Sequence, residues 1–198
     1  MNLEDHRTLF AATTLGLVLI AALPTVSMVV SIPSGAERFS ELWVLGPTHM
    51  AEGYPFNVRV GEQYRLFVGV GNHLGCSAYY VVYVKFRNQT QPLPAALNAV
   101  PSPLPPLYEF RAFVVDGGTW EAQLTFIFLN VSRLGDSSFV GEMSINDVVI
   151  SMDSSSGWDL ENSGFYYQVF FELWLYDTSL QEFQYHNRFV GIWLNMTM

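Results

Sequence analysis

Residues 9–32 read LFAATTLGLVLIAALPTVSMVVSI and carry no ionisable side chain. At about 1.5 Å of rise per residue, a helix of this length spans the ~30 Å hydrocarbon layer of a bilayer. A helix that is apolar on every face has to be surrounded by apolar material, and no amphipathic helices elsewhere in the chain could surround it. The run is therefore expected to be a transmembrane helix, or an uncleaved signal retained as an anchor. Pro24 is compatible with this, because membrane helices absorb a proline through neighbouring groups and small local adjustments. Two other readings remain open from the residues. One is a secretory signal cleaved near Ser34-Gly35-Ala36. The other is the hydrophobic helix of an assembling pilin, although the usual short basic leader is missing.

This run divides the sequence into a short tail (1–8), the span (9–32), a linker (33–38) and a domain (39–198). The flank before the span holds Glu4, Asp5, His6 and Arg7, so charge gives a poor orientation signal. Size is the better guide, because the whole folded mass follows the span. The domain is expected outside the cytoplasm, in a single-pass protein of the cell membrane. Three Asn-X-Ser/Thr sites, at Asn88, Asn130 and Asn195, are glycosylation candidates in that setting.

Eighteen acidic residues against nine basic ones give a formal net charge of −9, and Lys85 is the only lysine. With no basic stripe to neutralise phosphates, nucleic acid is not an expected partner. Aromatic residues make up 15% of the chain, which suits a packed core and not a disordered tether. Cys76 is the sole cysteine, so no intramolecular disulfide framework exists. Its apolar neighbourhood marks it as a small buried hydrophobe.

The domain reads as alternating strands separated by glycine, proline and aspartate turns. Phe39–Leu45 is a short aromatic strand closed by Gly46-Pro47. From Tyr64 to Val70, Tyr64, Leu66, Val68 and Val70 share one face, and Gly71-Asn72-His73 is expected to break the pattern. In Ala78–Arg87, Ala78, Tyr80, Val82, Val84 and Phe86 share a face. Residues 91–106 contain PLPAALNAVPSPLPP and form a crossing loop, because proline removes donors from a ladder. Leu107–Val115 and Thr119–Val131 are expected to form a hairpin through Asp116-Gly117-Gly118. Phe139–Met143 and Asp147–Met152 are shorter strands, residues 152–164 a loop, and Phe165–Tyr176 and Phe189–Met196 the closing strands. Together these predict an all-β domain, a two-sheet sandwich.

Within Phe39–His73 the motifs ELWVLGP, AEGYP, Gly61 and the closing VGVGNH occur in order. This segment resembles the archaeal membrane-associated proteins grouped as domain of unknown function 1616. The later WEAQLTFIF and the final FELWLYDTSLQEFQYHNRFVGIWLNMT are similar to that family's remaining segments. The residues carrying the resemblance are Gly46, Pro47, Gly53, Tyr54, Pro55, Gly61, Asn72, His73, Trp120 and Tyr185. The resemblance implies an immunoglobulin-like β-sandwich outside the membrane and supplies no catalytic function. The chain departs from the family in having one membrane helix where members commonly have more. It also has Leu74 where an acidic residue usually follows the Asn-His pair.

Reactive side chains form no recognisable constellation. His6, His49, His73 and His186 are scattered, although His49 and His73 could approach each other near Glu52 or Glu62. The Ser-rich SMDSSSG stretch lacks a nucleophile elbow. Asp153, Asp159 and Glu161 are oxygen ligands of a kind that calcium takes, but their spacing matches no known loop. Gly69 and Gly71 precede no helix, so they are not a phosphate loop. No cofactor or metal is expected, and the chain is not read as an enzyme. The expected role is that of a membrane-anchored cell-envelope protein of structural, adhesive or protein-binding type. Its partners would be the bilayer, through residues 9–32, and other envelope or membrane proteins. The alternative is an accessory subunit of a transporter or glycan-processing complex, with Gly16, Ala11, Ala12, Ala21 and Ala22 allowing close helix packing.

Overall fold

A computed structural model describes residues 6, 10–11, 13–18, 37–95 and 98–197. The chain divides into two compact units, Met1–Glu37 and Arg38–Met198. In the first unit residues 6, 10–11 and 13–18 are helical. There Thr14 turns its hydroxyl back onto the Phe10 and Ala11 carbonyls, and Thr13 does the same onto Phe10. Apart from residues 10–11 and 13–18, the expected span at 9–32 lies outside the described residues. Among the described residues no helix is long and apolar enough to cross a membrane.

The second unit is built from β1 (Phe39–Leu45), β2 (Asn57–Val58), β3 (Gln63–His73), β4 (Ala78–Asn88) and β5 (Tyr108–Val114). It continues with β6 (Thr119–Leu134), β7 (Ser137–Ile145), β8 (Val148–Gly157), β9 (Tyr166–Asp177) and β10 (Glu182–Met196). These strands form two five-stranded sheets, in the orders β1-β3-β6-β7-β8 and β2-β10-β9-β4-β5. The strand pairs are antiparallel except that of β2 with β10. The expected all-β, two-sheet sandwich is what the chain adopts. Leu66, Val68 and Val70 of β3 and Ala78, Tyr80, Val82, Val84 and Phe86 of β4 enter one shared core with Leu124, Phe126, Tyr167, Phe171 and Leu194. Each fully buried Val, Leu or Phe side chain among them contributes roughly 1.5–3 kcal/mol.

Several expectations are corrected. The pair 107–115 and 119–131 is not a hairpin. β5 pairs with β4 (Ala78↔Val114), whereas β6 pairs with β3 (Gly71↔Thr119), so Asp116-Gly117-Gly118 carries the chain from one sheet to the other. A Gly-rich turn supplies the left-handed backbone for either geometry, and the partner strands decide which one forms. Nor do residues 71–73 break the strand: β3 runs through them and pairs with β1 as far as Phe39↔His73. The expected loop at 152–164 is strand up to Gly157, with Ser154, Ser155 and Ser156 laddered against β7. Tyr185 lies inside β10, next to a register shift between Tyr185 and Arg188. Cys76 is exposed in the β3–β4 turn and not buried, because the turn directs its carbonyl inward to accept from Asn72 Nδ2 at 2.8 Å.

The largest departure concerns the outer face of the second sheet. In a half-buried sheet that face should meet solvent, yet Val81, Lys85, Arg87, Phe170 and Glu172 are all buried. The proline-rich crossing segment is tied down over this face at Ser102, whose carbonyl accepts from Lys85 and whose N–H donates to Glu172. The face is open at the end near β2 and β10, where Trp193 is exposed.

Candidate functional site

At the open end of this face, strand alternation decides which side chains point outward. Ile192, Leu194 and Met196 point into the core, so Trp193 and Asn195 project outward. Across the ladder Trp193 lies opposite Gln168, and Gln168 opposite Arg87. The Arg87 guanidinium sits over the Trp193 ring at 5.2 Å. It also donates from Nη1 to Gln168 Oε1 at 2.9 Å and from Nη2 to the Gln89 carbonyl at 2.7 Å. Tyr166 of β9 and Phe56, just before β2, complete the apolar wall, with their ring centroids 6.0 Å apart. The Asn195 N–H donates to the Phe56 carbonyl at 2.6 Å, which anchors the Phe56 backbone to β10.

The lining is completed by a turn closed by the Asp159–Gly164 bridge, to which the Tyr166 hydroxyl is tied through the Asn162 carbonyl at 2.7 Å. Asp159 Oδ1 accepts the Glu161 and Asn162 N–H groups, each at 2.9 Å. Its Oδ2 accepts from Gln89 Nε2 at 2.9 Å and Asn162 Nδ2 at 3.1 Å. Asn162, through its backbone and then its side chain, holds the Asp159 carboxyl below the usual carboxylate range, with help from Gln89 and Glu161. Asp159 thus serves as the ionised clamp of two amides. Phe56, Gln89, Asp159, Asn162, Tyr166 and Trp193 enclose a cleft of about 560 Å³. A second cleft of about 300 Å³ shares Phe56 and Trp193 and continues past Tyr54, Pro55 and Val190.

Beside this open end, under the proline-rich segment, lies a buried ion pair. Lys85 Nζ is 2.8 Å from Glu172 Oε2, with their side chains only 4% and 0% exposed. Lys85 also donates to the Ser102 carbonyl at 2.8 Å. Glu172 accepts the Ser102 N–H at 2.8 Å and Trp174 Nε1 at 3.1 Å. The Tyr185 hydroxyl is buried without a hydrogen-bond partner. Burial, and then the Glu172 charge, push its pKa up to about 12.

A second polar network joins the two sheets. Ser40 Oγ of β1 meets the Tyr80 hydroxyl at 2.7 Å and His186 Nε2 at 3.0 Å. Tyr80 donates to Asn72 Oδ1 at 3.1 Å, and Asn72 Nδ2 reaches the Val114 carbonyl at 2.9 Å. Burial, reinforced by the Arg188 charge, lowers the His186 pKa and keeps the ring neutral. A serine beside a neutral histidine resembles a nucleophile with its base, but Ser40 is buried and lines none of the clefts described here. It fastens the first sheet to the second.

The sequence-derived motif residues prove to be mainly architectural. A Cβ at Gly46 would collide with the Glu52 carbonyl, and Gly53 and Gly61 have left-handed φ values of 67° and 78°. Gly53 lies close to Pro47. The Tyr54 hydroxyl donates to the Val44 carbonyl at 2.8 Å, and Pro55 lines the second cleft. Asn72 braces the sheet-crossing corner, where its N–H donates to Gly118 O at 3.0 Å and its carbonyl accepts from Gly117 N at 2.8 Å. His73 stacks on Phe39 and lies 3.6 Å from Glu41. His49 instead stacks on Phe67 and meets Glu121 at 2.7 Å, so the two histidines engage different acids. Trp120 packs edge-on to Phe110 at 5.7 Å, and the Tyr185 ring lies 5.8 Å from Trp174.

Among the glycosylation candidates Asn130 is exposed on β6. Asn88 Oδ1 accepts from Thr90 and Gln91, while Asn195 bridges Asn57 and Phe165. Asp153, Asp159 and Glu161 do not converge, and among the described residues no group of three His, Cys, Asp or Glu could hold a metal ion. Sequence reasoning did not single out Phe56, Gln89, Asn162, Tyr166 or Trp193. The available signal was Trp193 itself, a large aromatic in outward phase between Ile192 and Leu194. Lys85 gave a similar signal between Val84 and Phe86.

The β-glucosidase from Listeria innocua offers a distant structural likeness. Its gluconolactone complex gives a TM-score of 0.42 and its glucose complex 0.41, each at 8% sequence identity over 82% of this chain. The chain spans 16% of the length of those chains, and a likeness this remote says nothing of what it does. Comparison with curated protein sequences yields no match. Residues 33–133 match the family model described as "Domain of unknown function (DUF1616)", a range that ends within β6, short of β9 and β10. With just over half of its 198 residues matched, the chain belongs to the DUF1616 family.

Proposed function

We propose that the chain is a membrane-anchored cell-envelope protein of structural, adhesive or protein-binding type and not an enzyme. Residues 9–32 would cross the bilayer once, with an immunoglobulin-like sandwich outside the cytoplasm. The observation that carries this reading is the run without ionisable side chains followed by a β-domain. Two further features support it. Phe10, Leu15, Leu17 and Val18 present large apolar side chains outward from the helical residues. The Thr13 and Thr14 hydroxyls are bonded to helix carbonyls, as polar groups within hydrocarbon must be.

Outside the cell the acidic domain would meet other envelope components, and Asn130 is its most accessible glycan acceptor. Crosslinking in intact membranes, read by mass spectrometry, tests the role. Links from 39–198 to surface proteins, with glycan on Asn130, support the envelope role. Links confined to 9–32 and a single transporter or glycan-processing enzyme would make the chain an accessory subunit instead.

A further inference from the structure

We infer that the cleft between Trp193, Tyr166, Phe56 and the Asp159–Gly164 turn is a binding site for a neutral saccharide. A sugar ring has two chemically different aspects. Its axial C–H groups form an apolar face whose slightly positive hydrogens suit the negative face of an aromatic ring. Its hydroxyls radiate around the edge and require donors and acceptors in nearly the same plane. The cleft supplies both. Trp193, Tyr166 and Phe56 form its aromatic wall. Beside them in the lining, Gln89 and Asn162 each give one amide N–H to Asp159 and keep a second N–H and a carbonyl oxygen. Because Asp159 is itself fixed by two backbone N–H groups, both amides are oriented before a ligand arrives.

The charges favour a neutral ligand. Arg87 already occupies the cation site over Trp193, which disfavours a cationic ligand there. The ionised Asp159 disfavours an anion. The volume of about 560 Å³ falls within the range of small-molecule sites. Such sites run to roughly 300–1,000 Å³. A single carboxylate lines the cleft, which suits holding a glycan and supplies no acid–base pair across a glycosidic bond.

This inference deepens the envelope role by naming a ligand class for the outer domain, and the two fail separately. Binding in vitro is independent of where the chain resides, and membrane placement is independent of the cleft. The test is saturation-transfer NMR on the full chain in lipid nanodiscs, where no alkyl glycoside detergent competes, with millimolar lactose, maltose or N,N′-diacetylchitobiose. Transfer to ring C–H protons of at least one sugar is expected. It should weaken roughly tenfold or more in Trp193→Ala and, separately, in Asn162→Ala, an exposed turn position that leaves the core intact. Phe113→Ala removes an exposed aromatic on β5 and should change nothing. Absence of transfer with all three sugars, or transfer that survives both cleft substitutions, would overturn the assignment. Binding of a proline-rich peptide in place of the sugars would overturn it as well.

Discussion

Lys85 and Glu172 show how one residue's environment outweighs its type. Neither side chain would be expected indoors, yet both are held by each other, by Ser102 and by Trp174. Removing one member leaves an uncompensated buried charge, so Lys85→Met should destabilise the domain by about 3–5 kcal/mol. The double variant Lys85→Met/Glu172→Leu should recover part of that loss, though not all, because the Ser102 N–H is then left without its acceptor. Chemical denaturation of the unaltered chain, Lys85→Met, Glu172→Leu and the double variant measures the difference. Tyr185 makes the opposite case, because its hydroxyl is buried without a partner. Tyr185→Phe should therefore be neutral or stabilising by up to ~1 kcal/mol. Its ordinary pKa of 10.0 is raised to about 12 in the fold. Below pH 10 the phenol is protonated folded or unfolded, so its contribution is then fully present. As pH rises from 10 towards 12 the unfolded chain loses its proton first, and stability falls. The substitution should lessen that alkaline decline without abolishing it, because Tyr64, Tyr80, Tyr83 and Tyr167 are shifted in the same direction.

Among the elements, alternation identified the strands well and their partners poorly. The period-2 pattern in β3 and β4 placed the core residues correctly, because burial on one face is written in the side chains themselves. Which strand follows a glycine turn is not written locally, and so Asp116-Gly117-Gly118 read as a hairpin when it is a corner held by Asn72. The hairpin between β7 and β8 turns instead on Asn146-Asp147, both with positive φ (46° and 66°). Asn146 Oδ1 also accepts the Thr125 N–H at 2.8 Å, while no comparable bond is seen for Asp147. Two substitutions with the same backbone benefit should therefore diverge. Asp147→Gly relieves left-handed strain and should raise stability by up to ~1 kcal/mol. Asn146→Gly loses the Thr125 bond and should lower it by about 1 kcal/mol. Thermal melts of the two variants provide the comparison. The outward face of β4 and β9 was illegible for a related reason. Its cover comes from the proline-rich segment, which composition marks as a loop without saying what it lies upon.

For the whole molecule, the aromatic cleft depends on residues from 56, 89, 159–166 and 193, far apart in sequence and joined only by the sheet order. No local motif could announce it, and only Trp193 hinted at an outward aromatic face. The family match, which ends at Arg133, covers the corner and the braced turns and excludes most of the cleft. The proposed membrane anchor, by contrast, would be a property of one continuous stretch, residues 9–32, and rests on the sequence. The exposed sole cysteine, Cys76, lies in the β-domain and makes its placement directly measurable. Intact cells carrying the full chain are treated with a membrane-impermeant maleimide, before and after permeabilisation. An outer β-domain predicts that Cys76 is labelled in intact cells to the same extent as in opened ones. Labelling only after permeabilisation would put the domain on the cytoplasmic side and contradict the account.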